Sequence, residues 1–270
     1  MNNKQWKQSA LLMSLLLFVW IGGSANELPD GDSIAQRINA RDEGVSVSRD
    51  VKMEMTDKRG KTRIRETSGY RKYYDDEKRT IIIYRSPKNV KDTGFLTFDY
   101  ADPEKDDDQW LYLPAMRKVR RISASDRGDY FLGTDFSYED IKLETRVSIK
   151  DYTRKTIGED VVNDHHCLLV EMIPVNETVA KELGYGKAET CVDDSIWIVR
   201  RSRIWDVQGN PLKTTINSDI RQVQGIWTVH RMQVENHKTG HQTVFTFRNV
   251  DYQAVIDDNV FTKQRLKRGL

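Results

Sequence analysis

Two cysteines, six prolines and a formal net charge of only +2 are the first things this 270-residue sequence shows. No stretch after residue 21 approaches the roughly 20 apolar residues that a membrane-spanning helix needs. There is no G-x-S-x-G nucleophile elbow, no G-x-G-x-x-G dinucleotide fingerprint and no P-loop, so the familiar hydrolase, dehydrogenase and nucleotide-binding motifs are missing. No internal repeat, low-complexity tract or Pro/Gly/Ser-rich linker divides the chain. The acidic runs Asp75-Asp76-Glu77, Asp106-Asp107-Asp108 and Asp257-Asp258 lack the central Gly and terminal Glu of a calcium loop and read as solvated loops. His165-His166-Cys167 has no second Cys/His group at ligand spacing, and strand neighbours point to opposite faces, so neither a metal nor any other cofactor is expected. The sequon Asn176-Glu177-Thr178 and the tripeptide Arg127-Gly128-Asp129 are short enough to be accidental.

What is present begins with an export signal. Lys4 and Lys7 precede an apolar run from Ser9 to Ile21, and Gly22-Gly23-Ser24-Ala25 supplies the small residues of a cleavage site after Ala25. The run is short for a permanent anchor, and no cysteine near the site offers a lipid attachment point. Residues 1–25 read as a cleaved signal peptide and residues 26–270 as one soluble domain, expected to be a monomer. The chain carries 43 basic and 41 acidic residues, and removing Lys4 and Lys7 leaves it formally neutral. Neutrality argues against nucleic acid as a partner. An oxidising compartment favours pairing Cys167 with Cys191, the alternative being two buried thiols. Such a bridge is worth about 3 kcal/mol in the chain-entropy model.

Asp30 to Ala40 predicts a short helix with Ile34 and Ile38 on one face. From Val45 onward the period is two. Val45 to Thr56 and Lys61 to Tyr73 flank a turn at Asp57 to Gly60, and strands follow at Thr80 to Arg85, Gly94 to Tyr100 and Gln109 to Leu113. Three further hairpins are predicted. These are Thr145 to Ile157 with Val161 to Ile173, turning at Gly158-Glu159-Asp160; Ser195 to Val207 with Leu212 to Val223; and Ile226 to Asn236 with His241 to Tyr252. Helical insertions are expected only near 31–40, 123–142 and 176–183. The fold class is therefore mainly β with short helices, about a dozen antiparallel strands curving around a hydrophobic hollow.

The most informative stretch is Gln109 to Asp140. A basic cluster with interleaved aromatics, Arg117, Lys118, Arg120 and Arg121, precedes an acidic-aromatic cluster from Asp135 to Asp140. Opposite charges predict that Arg120 or Arg121 pairs with Asp135, Glu139 or Asp140, either structurally or as a polar rim that meets an anionic head group or a partner.

The pattern W-x-Y-x-P-x-x-R-x-x-R-R-I, Trp110 through Ile122, followed by G-x-D-F-x-Y-E-D, Gly133 through Asp140, resembles the outer-membrane lipoprotein-sorting protein family, periplasmic proteins similar to the lipoprotein carrier LolA. The signal, the early helix and the terminal Asp257 to Thr262 before Arg265-Leu266 extend the resemblance over most of the chain. It implies a LolA-like unclosed half-barrel with helices across its concave face, a periplasmic location, no enzymatic activity, and acyl chains of a lipid or lipoprotein as cargo. It implies partners in an inner-membrane exporter-type transporter and an outer-membrane acceptor. A sensor on the same scaffold, regulating a membrane partner by protein–protein binding, is the alternative. Candidate apolar lining residues are Trp110, Tyr112, Leu113, Met116, Phe131, Phe136, Trp197, Trp205, Trp227, Phe245 and Phe247, although aromatics at strand spacing also serve as plain core.

Overall fold

The computed structural model describes residues 27–102 and 105–269, so the export signal read in residues 1–25 lies outside the described residues. Helix α1 spans Gly31–Asn39, and Asp30 caps it by accepting from the backbone N–H groups of Asp32 and Ser33 at 2.9 and 3.0 Å. Its apolar stripe, Ile34, Ala35 and Ile38, is buried.

The strands are β1 Ser46–Thr56, β2 Thr62–Tyr73, β3 Glu77–Ser86, β4 Gly94–Tyr100, β5 Asp108–Leu113 and β6 Lys118–Ile122 in the first half. In the second half they are β7 Tyr152–Val162, β8 His165–Pro174, β9 Lys187–Asp193, β10 Ile198–Trp205, β11 Pro211–Val223, β12 Ile226–Asn236 and β13 His241–Asp251. Three short helices complete the list: α2 Tyr138–Leu143, α3 Glu177–Leu183 and α4 Lys263–Arg268.

All thirteen strands form one antiparallel sheet in the order β6-β5-β4-β3-β2-β1-β13-β12-β11-β10-β9-β8-β7. The first six strands meander outward from β1, and the last seven meander inward to β13. The β1–β13 ladder, with Met53 opposite Phe245, joins the two meanders. Strands β6 and β7 are the two edges, and no ladder closes them among the described residues. The sheet is therefore an open half-barrel, and the chain must travel from one edge to the other between β6 and β7. Residues 123–151 make that crossing over the concave face.

Alternation along the strands sorts the core into two layers. Tyr84, Phe95 and Leu111 face the concave cluster that also holds Val51, Met53, Phe245 and Phe247. Ile83, Leu96 and Trp110 face the other way, where Ile256, Phe261 and Leu266 of the C-terminal segment cover them. A further cluster seats α1 and α3 on the apolar residues of β8 and β9, including Leu168, Val170 and Val192. Cys167 and Cys191 form a disulfide between β8 and β9, with Cα atoms 5.4 Å apart.

Three expectations need correcting. The β7–β8 turn lies at Asn163-Asp164, not at Gly158 to Asp160. Both turn residues have positive φ, 50° and 63°, as a two-residue type I′ hairpin demands. Gly158 instead sits inside β7, where the register shifts between Thr156 and Gly158 as in a β-bulge. Residues 145–151 are not a strand but the end of the crossing segment. Strands β6 and β9 and helix α4 were not expected, and the 123–142 region holds two single 3-10 turns with α2 as its one α-helical piece.

Candidate functional site

The crossing segment is a strap fixed along its length. Its apolar residues Phe131, Phe136, Tyr138 and Ile141 are buried in the concave cluster. Phe131 stands edge-on to Phe95 at 5.2 Å, and Phe136 lies 4.6 Å from the ring of Phe245. Its polar residues are tied to the sheet and to each other. Thr243 Oγ1 donates to Asp135 Oδ2 at 2.7 Å, and Asn236 Nδ2 donates to Asp135 Oδ1 at 3.1 Å. Ser137 and Asp140 form a capping box that starts α2. The outer face of Asp140 meets the buried Lys213 ammonium at 2.5 Å and the Tyr185 hydroxyl at 3.2 Å. Lys142 pairs with Asp107 at 2.5 Å and Glu139 at 2.9 Å. At the far end Arg127 grips Asp151 with two bonds of 2.9 and 3.0 Å.

Between strap and sheet lie two apolar cavities. The first is walled by Val51, Met53, Ile82, Ile141, Phe245 and Phe247. The second lies over the C-terminal meander and is walled by Val147, Tyr152, Met172, Ala188, Val199 and Ile204. Phe136, Asp140, Glu144 and Met232 border both, so the strap partitions one hollow into two.

A buried ionic cluster locks the strap's end. Glu43, in the α1–β1 connection, is met by Arg41 at 2.6 Å, by Arg146 Nε at 3.0 Å and by the Thr145 hydroxyl at 2.6 Å, and it accepts from the Tyr73 hydroxyl. Burial alone would raise the Glu43 pKa, but Arg71, Arg41 and Arg146 outweigh it and hold the carboxyl well below the carboxylate range. Glu144 bridges Arg49 and Arg71, the latter at 3.1 Å. Burial opposes its ionisation as well, and Arg49 and Arg71 again prevail. Glu144 itself holds φ 55° and ψ −99°, an unfavourable conformation for a residue with a Cβ. A third, smaller cavity opens beside this cluster.

Three comparisons bear on this architecture. A family described only as an uncharacterized protein matches residues 76–268, and no curated protein matches the chain. A domain described as an outer-membrane lipoprotein-sorting protein from Vibrio parahaemolyticus is 28% identical, with 88% of this chain and 98% of that one covered at a TM-score of 0.79. This chain belongs to the family whose model it matches over residues 76–268, and its fold is LolA-like. A DUF1329 family protein from Desulfovibrio piger is likewise 28% identical, covering 87% of this chain and 97% of its own at a TM-score of 0.79. A LolA superfamily protein from Nitrosomonas europaea, 18% identical, covers 88% and 100% at a TM-score of 0.64 and shares the fold.

Within this LolA-like fold the predicted lining residues disperse. Phe136, Phe245 and Phe247 line the first cavity, with Phe131 packed beside them and Leu113 half-buried against the same cluster. Trp110 and Tyr112 point to the convex face under the C-terminal segment, because their strand phase is opposite to that of Leu111 and Leu113. Met116 is 61% exposed. Trp197 packs near α1 with the Arg37 guanidinium 4.8 Å above its ring, and Trp205 carries the Lys187 ammonium at 4.3 Å. Trp227 stands at the rim of the third cavity.

The predicted ion pairs are replaced by others. Arg120 meets Asp126 at 3.3 Å and Arg121 meets Asp108 at 2.7 Å, both near in sequence, while Arg117 is exposed on a left-handed turn. Asp135, Glu139 and Asp140 face Thr243, Lys142 and Lys213 instead. Missed altogether were Met53, Met172 and Met232, and the cluster around Glu43 and Glu144. The alternation of Val51, Met53 and Met55 was the available signal for the first. Nothing local announced the second. Among the described residues no group of three or more His, Cys, Asp or Glu is placed to hold a metal, and no helix is long and apolar enough to cross a membrane.

Proposed function

We propose that this chain is a periplasmic carrier that holds the acyl chain of a lipid or lipoprotein in the hollow beneath the strap and passes it toward the outer membrane or a partner transporter. The observation that carries this reading is the divided hollow itself. Its two compartments expose more apolar than polar wall, with methionines in each and a few polar groups among them, the composition of a ligand site. Met53, Met172 and Met232 suit a wall that must adapt to chains of different length. Each methylene removed from water gains about 0.8 kcal/mol, so an acyl chain of about a dozen carbons supplies roughly 10 kcal/mol before the cost of ordering it. Binding and release then need no bond-making step. The export signal and the charge neutrality left by its removal fit a soluble holder of lipid outside the cytoplasm. The sorting-protein description of the Vibrio parahaemolyticus domain fits the same role.

The test is transfer of a fluorescent phospholipid and of a triacylated lipopeptide from donor to acceptor vesicles. Catalytic amounts of the protein should accelerate transfer of at least one of them. Tight binding without transfer would instead favour a sensor that signals to a membrane partner, and no binding of either would remove the carrier reading.

A further inference from the structure

The third cavity does not resemble the other two. Arg41, Glu43, Arg49, Arg71, Glu144 and Thr145 form one wall, and Trp227, Thr228, Val229 and Tyr252 form the other. Arg146 reaches the same cluster through Glu43. Four guanidinium groups thus share the two carboxylates of Glu43 and Glu144. The neighbouring charges do not cancel the excess. Lys78, which also acts on Glu144, is matched by Asp99 at 2.8 Å, and Asp140 is matched by Lys213. Tyr73 is neutral at ordinary pH, its pKa pushed up by burial. The side chains of Arg41 and Arg71 are only 8% and 6% exposed, and the Nε atom of each is buried without a hydrogen-bond partner among the described residues. A buried surplus of positive charge with spare donors is costly unless an anion meets it.

The cavity also has a fixed relation to the apolar hollow. It shares Arg49, Glu144, Met232 and Phe247 with the first apolar cavity, and Glu144, Thr145 and Met232 with the second. A polar, cationic chamber that borders a hydrocarbon-lined one suits an amphiphile with a charged end.

We propose that this arginine-lined cavity binds the oxyanion group, carboxylate or phosphate, of an anionic amphiphile whose hydrocarbon runs into the apolar hollow. Arg41 and Arg146 have their charge least committed, since both lean on Glu43 while Arg71 and Arg49 are held by Glu144. An incoming oxyanion competes with Glu43 for Arg41 and Arg146, and the exposed Trp227 at the rim senses its arrival. This inference rests on the proposed acyl-chain site, and it narrows the cargo to lipids with an accessible negative charge.

The experiment compares chain-matched ligands on the delipidated full-length mature protein by calorimetry and by Trp227 fluorescence. Palmitate is set against methyl palmitate, and lysophosphatidic acid against monopalmitoylglycerol, so the two pairs separate a carboxylate source from a phosphate source. At least one anion should bind about tenfold or more tightly than its neutral partner, the gain expected of a charge-assisted hydrogen bond. The preference should fall below about threefold in the Arg41→Gln, Arg146→Gln double variant, again on the loss of charge-assisted bonds. The emission change should vanish in Trp227→Phe, a rim substitution that leaves the cluster intact. Equal binding of charged and neutral ligands overturns the headgroup site while leaving the acyl-chain hollow standing. A preference or an emission change that survives these variants overturns its location, and no binding of any ligand sinks both readings.

Discussion

Replacing Phe136 with alanine removes the ring that separates the two apolar cavities. Phe136 is 2% exposed, lies 4.6 Å from the Phe245 ring and borders both compartments. A buried Phe→Ala change costs about 3–5 kcal/mol, and an aromatic pair adds about 0.5–1.5 kcal/mol to area burial alone. Two sides of this ring already face empty space, so fewer contacts are lost than in a close-packed core, and the lower end, about 3 kcal/mol, is the expected value. For a chain of this size that corresponds to a drop of about 6–12 °C in Tm. Urea unfolding followed by tryptophan fluorescence and by far-UV circular dichroism gives the loss directly. Because the substitution joins the compartments, a saturating long-chain ligand should raise the Tm of the variant more than that of the parent. A loss below about 1 kcal/mol would refute the view that Phe136 is the packed partition of the hollow.

Glu43→Gln should cost about 3–5 kcal/mol at neutral pH, since it leaves Arg41 and Arg146 without their shared carboxylate. The sign of its pH dependence follows from the depressed pKa. The stabilisation from Glu43 is fully present above the unfolded carboxyl value of about 4.3 and is lost as pH falls through the folded value. Acid titration of stability should therefore be flatter below about pH 4.3 in the variant than in the parent. Cys167→Ser with Cys191→Ser should lower stability by about 3 kcal/mol, measured by denaturant unfolding, and dithiothreitol should then cease to affect the Tm. Phe261→Ala, which uncovers Ile83, Leu96 and Trp110 on the convex face, should cost about 3–5 kcal/mol and leave lipid affinity unchanged when binding is measured well below the Tm.

The sequence made the fold legible wherever hairpins are local. The β12–β13 pair and β4 match their expected spans to within a residue, since alternation and a tight turn such as His237 to Gly240 carry the information within a few positions. The β7–β8 turn was misplaced because Gly158 is the conventional signal for positive φ, whereas Asn163 and Asp164 adopt that region with less obvious chemistry. The 145–151 segment was misjudged for a related reason. Its alternating Arg146, Val147, Ser148 and Ile149 look like a strand, but the chain there is finishing its passage between sheet edges.

The site was harder to read than the fold. Strand phase for Trp110 and Tyr112 cannot be set from alternation when both faces of the sheet are covered, the concave one by the strap and the convex one by the C-terminal segment. The Glu43–Arg146, Arg49–Glu144 and Arg71–Glu144 contacts join positions about seventy to a hundred residues apart, so no local pattern encodes them. The Gln109 to Asp140 signature contains the first part of the strap, though its acids pair with Lys213, Lys142 and Thr243 and not with the nearby arginines.

The central claim is that the strap and half-barrel enclose a lipid chain. Native mass spectrometry of the protein, purified from its native host without detergent and followed by organic extraction, tests it most directly. The expected result is a retained species that carries at least one long acyl chain and rebinds after delipidation. Protein that is isolated empty, and stays empty when offered lipids of every charge, would contradict it.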